Sequence, residues 1–233
     1  MKQYTYLLIN LFSVLIPFLF SFEKRIFFFK KLKALLPAML ITAAFFIMWD
    51  HLMTIWNVWQ FNSEYLIGYY IWDLPIEEWL FFFTIPYSCV FIYESLNFLV
   101  KKDSLSQYAK NISSTLAVIL IIVVLFNTGK LYTAIKLTLT VFMLVYVLIE
   151  NFDFMGKFYR AYLVSLIPFF VVNGLLTSLP VVTYNDSENL GIRIGTIPVE
   201  DTIYSLLLLL MNICLYEYFK NRLIKDVKPQ SKY

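Results

Sequence analysis

Histidine appears once, as His51, and cysteine twice, as Cys89 and Cys214, among 233 residues. A single imidazole excludes a histidine metal cluster, and no metal site is expected. Both cysteines stand inside apolar runs, so they read as small buried hydrophobes rather than a disulfide or C-x-x-C site. Charge is scarce as well: 15% of the residues are charged and 60% are apolar, against about 25% and 45–50% in a soluble domain. No G-x-G-x-x-G dinucleotide fingerprint occurs. Neither D-D-x-x-D nor D-x-x-x-D is present to hold Mg²⁺ and a diphosphate, as a prenyl-transferring enzyme needs. Residues 201–219, within the last apolar run, include no lysine on which a retinal Schiff base could form.

Long apolar runs are what the chain has instead, with a mean hydropathy of +0.70. Crossing about 30 Å of hydrocarbon takes roughly 17–25 residues. Runs of that kind lie near 4–22, 34–51, 76–99, 113–129, 131–150, 161–180 and 200–219. The first lacks an A-x-A-like cleavage site and reads as a retained helix rather than a signal peptide. The fourth and fifth are separated only by the turn "NTGK" at 127–130. Lys and Arg crowd into "EKRIFFFKKLK" (23–33), "KKDSLSQYAK" (101–110) and the tail after Phe219. The connection 52–75 has none, and 181–199 has only Arg193. The positive-inside rule then places the N-terminus outside, the C-terminus in the cytoplasm, and the chain in the cell membrane. The basic loops read as topology signals, not as a nucleic-acid surface.

Two carboxylate pairs stand out. "DLPIEEWLFFF" (73–83) sets Glu77 and Glu78 at the start of an apolar run, and "GTIPVEDTIYS" (195–205) does the same with Glu200 and Asp201. A shift of 123 lays 50–94 over 173–217 without a gap and makes ten positions identical, among them Asn62/Asn185, Gly68/Gly191, Pro75/Pro198, Glu77/Glu200, Tyr93/Tyr216 and Glu94/Glu217. The same shift lays helix one over five, two over six and three over seven. The expected fold is therefore all-α and polytopic: two parallel three-helix repeats, in 1–100 and 131–220, a linker helix in 101–130, and a basic tail in 221–233.

Proline followed by Glu is an ordinary helix start, since the first N–H groups lack partners and the dipole favours negative charge. Two such starts in register, at the rim of a bilayer where charge is costly, point to function instead. Adjacent helix residues diverge by about 100°, so Glu77 is expected to pair with Glu200 and Glu78 with Asp201. Carboxyl groups gathered in a poorly solvated place do not all ionise, and one that keeps its proton is an acid for a reaction. Around the first pair, Tyr69, Trp72, Trp79 and Phe82 form an aromatic wall able to face a cation, with Trp79 foremost. The second half lacks those rings, which implies one composite site with unequal roles. Asn62 and Asn185 either hydrogen-bond the carboxylates or make turns before Gly68 and Gly191. Arg193 is expected to pair with Glu200 or Asp201 and make that acid a base. Asp50-His51 reads as a capping or interfacial pair, with carboxylate orientation or proton shuttling as the alternative. Tyr93-Glu94 and Tyr216-Glu217, at the far ends of their helices, read as interfacial tyrosines beside solvated or lysine-paired carboxylates.

"LPIEEWLFF", "FNSEYLIGYYIWDLPIEE", "YNDSENLGIRIGTIPVED" and "LLLLLMNICLYEY" together resemble the lycopene cyclase family whose two halves occur fused or as separate subunits. The likeness runs from about residue 33 to 219. It implies cyclisation of a linear carotenoid ψ end group, usually to a β ring, at a site needing both halves. The implied partners are lycopene or a related linear carotenoid, the bilayer, and other carotenoid enzymes; the oligomeric state stays open. The reaction is redox-neutral, so it demands an acid, a base, a cation-tolerant wall and dryness, and no cofactor. A proton-coupled membrane carrier is the alternative, since repeats and intramembrane acids also mark transporters.

Overall fold

The computed structural model describes residues 2–227. It contains seven helices long and apolar enough to cross a membrane, and this is an integral membrane protein. A 3₁₀ turn at Lys2–Tyr4 leads into α1 (Thr5–Phe20); α2 spans Leu32–Ile55, α3 Ile76–Leu99, α4 Ser106–Phe126, α5 Leu131–Glu150, α6 Met155–Ser178 and α7 Val199–Val227. Two of these, α3 and α5, match the hydropathy runs residue for residue. Helix α1 is shorter than its run, while α2 and α7 run longer and α4 and α6 begin earlier, at their polar ends. There, residues such as Lys110, Asn111, Lys157 and Arg222 favour or tolerate helix without adding hydropathy. Within the expected tail 221–233, α7 continues to Val227, and residues 228–233 lie outside the described residues.

Helix α7 sits at the centre, packed against α2, α3, α5 and α6. All five leucines of 206–210 are buried, so this helix hides every face. Leu206, Leu210, Ile213 and Tyr216 meet Leu35, Val90, Leu144 and Phe158 in the main core. Helix α1 lies on α3 and α6, and α4 on α5 and α6.

At one end of the bundle the two long connections lock together. Strand β1 (Trp59–Phe61) pairs antiparallel with β4 (Val182–Tyr184) in the register Trp59↔Tyr184, Gln60↔Thr183 and Phe61↔Val182. Flanking bonds run from Asn62 N–H to the Val181 carbonyl and from Asn185 N–H to the Val58 carbonyl, both 2.9 Å. Each connection then makes a tight hairpin: β2 (Tyr70–Ile71) with β3 (Leu74–Pro75), and β5 (Arg193–Ile194) with β6 (Ile197–Pro198). The hairpin corners need a left-handed residue. Gly195 supplies φ +64 freely, while Trp72 is held at +52. Each hairpin delivers its proline directly to a helix start, Pro75 to α3 and Pro198 to α7.

Candidate active site

The hairpins fix where the acids point. In the first turns of α3 and α7, all four carboxyl groups are buried. The first acid of each pair turns back to its own connection. Glu77 Oε1 accepts the Ile67 N–H at 2.8 Å; Glu200 Oε1 accepts the Leu190 N–H at 2.7 Å and the Thr133 hydroxyl at 2.7 Å. Gly68 and Gly191, at φ +88 and +72, make the bends that present those N–H groups. Glu77 and Glu200 thus clamp loops onto helix starts.

One residue on, the direction changes by about 100°, and Glu78 and Asp201 enter a shared cavity of about 80 Å³. Its walls include Asp50, Tyr6 and Asn173 and the rings of Trp59, Phe61, Phe81, Tyr132, Tyr184 and Tyr204. Glu78 accepts the Tyr6 hydroxyl and shares the buried cavity wall with Asp50. Asp50 also accepts the Tyr204 hydroxyl at 2.9 Å. Asp201 is held by different donors: Tyr132 OH at 2.5 Å, Tyr184 OH at 2.8 Å and Asn173 Nδ2 at 3.3 Å, with Lys136 Nζ at 3.4 Å.

Lys136 is fully buried, donates to the Tyr132 hydroxyl and to the Glu200 carbonyl at 3.2 Å, and stands 3.5 Å from the Tyr132 ring centroid. A lysine without water needs such partners. Burial first, then the Asp201 carboxylate, pushes the Tyr184 hydroxyl well above its ordinary range, so it remains a donor. The site can donate a proton, accept one, and surround a cation with aromatic faces.

Several expectations need correction. Tyr69 and Trp72 are exposed, at 73% and 58%. Trp79 lies against Trp72 and donates to the Ile71 carbonyl at 3.3 Å, and Phe82 is buried against Phe46. None of these four lines the cavity. The helical turn that aims Glu78 inward carries Trp79 outward, and one turn later it is Phe81 and Ile85 that face inside. The aromatic wall also draws on both halves rather than the first alone. Arg193 bonds Asp186 at 2.5 Å and the Thr196 carbonyl at 2.9 Å, because the β5–β6 hairpin turns it outward; it meets neither Glu200 nor Asp201. Asn189 and then Arg193 hold Asp186 below the usual carboxylate range. Asn62 Oδ1 accepts the Glu64 N–H, and Asn185 Oδ1 the Ser187 N–H and hydroxyl; they build turns and do not touch the acids.

Asp50 lines the cavity beside Glu78, whereas His51 points to Asp73, 3.4 Å away. At the opposite end, Tyr93 donates to Glu217 at 2.8 Å and Tyr216 to Glu94 at 2.7 Å; Lys31 and Lys220 pair with Glu94, as expected of lysine-paired carboxylates. Sequence reasoning missed Tyr6, Trp59, Tyr132, Lys136, Asn173, Tyr184 and Tyr204. Lys136 alone carried a signal, a lone cation one turn after a tyrosine in an apolar run.

Comparison with known proteins adds one match. A family model described as lycopene cyclase fits residues 3–96 and 129–219. No curated protein and no solved structure matches the chain.

Proposed function

The chain belongs to the lycopene cyclase family, and from that premise we propose that it closes the ψ end group of lycopene, or a related linear carotenoid, into a β-type ring by acid–base catalysis. One observation carries this reading: Glu78 and Asp201, from the first turns of two different helices, line the same aromatic cavity. Protonation at C2 of the terminal alkene leaves a cation at C1. The C5=C6 pair then forms the C1–C6 bond and moves the charge to C5. Loss of the C6 proton restores C5=C6, so atoms and electrons balance without a redox partner. Each ring facing the cation stabilises it by about 0.5–2 kcal/mol. Water has to be kept away, since it captures the cation as an alcohol. The β1–β4 strap, crossing at this end of the bundle, is suited to exclude it.

Two three-helix repeats around this cavity belong to the same proposal. Wall positions come in pairs 123 apart: Asp50/Asn173, Phe61/Tyr184, Glu78/Asp201, Phe81/Tyr204 and Ile85/Leu208. Charge in the connections favours a site at the extracytoplasmic side. The test is pigment. Expressed in a bacterium that accumulates lycopene, the protein is expected to replace lycopene with cyclised carotenoid in the extract. Unchanged lycopene beside folded protein contradicts the proposal.

A further inference from the structure

We infer that the two halves of the site have opposite proton tasks: the Asp50–Glu78 carboxyl pair donates to the polyene, and Asp201, positioned by Lys136, accepts. This rests on the cyclase reading and assigns roles within it.

The assignment comes from matched positions that carry unlike groups. Beside the backbone of the first acid of each pair, Asn10 Nδ2 donates to the Glu77 carbonyl at 3.1 Å, where Lys136 Nζ donates to the Glu200 carbonyl at 3.2 Å. Beside the second acid, Asp50 shares the cavity wall with Glu78, whereas Asn173 donates to Asp201. Tyr6 and Tyr132 donate to Glu78 and Asp201 alike. One cluster therefore gathers two carboxyl groups on hydroxyl donors; the other seats one carboxylate in direct contact with an ammonium.

Chemistry distinguishes them. Two carboxyl groups buried on one cavity wall do not both ionise, since two anions there repel and the nearest ammonium, Lys136, stands 4.7 Å from the Tyr204 ring centroid, on the Asp201 side. Their remaining partners, the Tyr6 and Tyr204 hydroxyls, supply no positive charge. The pair is a stored acid. Asp201 instead receives four donors, one of them cationic, and that saturation favours its anion. A buried lysine deprived of its carboxylate is strongly unfavourable, so each member of the Lys136–Asp201 pair holds the other in place. In the cycle, an O–H of the Asp50–Glu78 pair breaks as C2–H forms. C6–H breaks as Asp201 gains the proton, and that proton returns across the cavity, between Tyr184 and Tyr204, before the next turnover.

The experiment uses full-length protein in liposomes with lycopene in D₂O, and reads deuterium in the recovered linear polyene and in the product. Wild type is expected to give rings labelled at C2. Asp201→Asn and Lys136→Gln leave donation intact and acceptance impaired, so little ring forms and the recovered polyene carries deuterium at C2. Glu78→Gln and Asp50→Asn are expected to return polyene with about tenfold less label or lower still. Lys136→Arg, which keeps the cation, is expected to recover product over Lys136→Gln. If Lys136→Gln does not fold, Asp201→Asn against Glu78→Gln decides alone. Equal labelling in the two sets, or label only in the Glu78 and Asp50 variants, overturns the assignment. Wild type that makes no ring overturns the cyclase reading instead.

Discussion

At the residue scale, the motif was legible but its division of labour was not. Two helix starts with paired acids are plain in the sequence, and helical geometry separates Glu77 from Glu78 by about 100°. Which of the two faces inward depends on the loop that Glu77 holds at Ile67 N–H, a contact ten residues away that no local pattern announces. The same geometry explains Trp79: it follows the inward acid and so points out. Replacing Trp79 with Leu is expected to leave ring yield and product profile as in wild type. Trp59→Leu and Phe81→Ala, which remove rings from the cavity wall, are expected to lower the rate by about fivefold to thirtyfold, the equivalent of about 1–2 kcal/mol of cation stabilisation. Chromatography of carotenoid extracts checks both, and an effect of Trp79 equal to that of Phe81 contradicts this placement.

At the element scale, hydropathy gave the helices well, because a span is long and its signal is composition. Helices α3 and α5 were readable to the residue; α4 and α6 were cut short at their polar first turns. The strap between β1 and β4 was invisible. Its strands are 3 residues each, too short for an alternating pattern, and they pair across more than a hundred residues. The bends were better marked, since Gly68 and Gly191 stand where a positive φ is required. A Cβ at Gly191 meets nothing within 4 Å, so Gly191→Ala tests the backbone alone. It is expected to cost about 1–2 kcal/mol, and to lower the thermal midpoint by about 2–4 °C per kcal/mol. A midpoint unchanged in detergent means that the bend at Leu190, and the clamp on Glu200, tolerate a side chain.

At the scale of the whole molecule, matched backbone contacts at two helix starts flank a centre whose polar groups differ. The backbone relations recur at a spacing of 123, as in Ile67 to Glu77 and Leu190 to Glu200. The sequence showed that spacing, and with it the proposed repeats. The polar residues that break the symmetry, Asp50 against Asn173 and Asn10 against Lys136, are scattered over four helices, so only folding reveals them as one group. That asymmetry suits a reaction in which a proton enters at one carbon and leaves from another. A carrier has less use for an aromatic cavity at one end of the bundle than for a path across the bilayer. The central claim is that the inward acids do chemistry while the outward ones hold loops. It is tested most directly by the rate of ring formation in liposomes for Glu78→Gln, Asp201→Asn, Glu77→Gln and Glu200→Gln. The account predicts losses of about 10²–10⁴ for the first two. For Glu77→Gln and Glu200→Gln, whose amide oxygen still accepts the loop N–H, the predicted loss is less than about tenfold. Full activity in the Glu78 and Asp201 variants, with loss confined to Glu77 and Glu200, contradicts it.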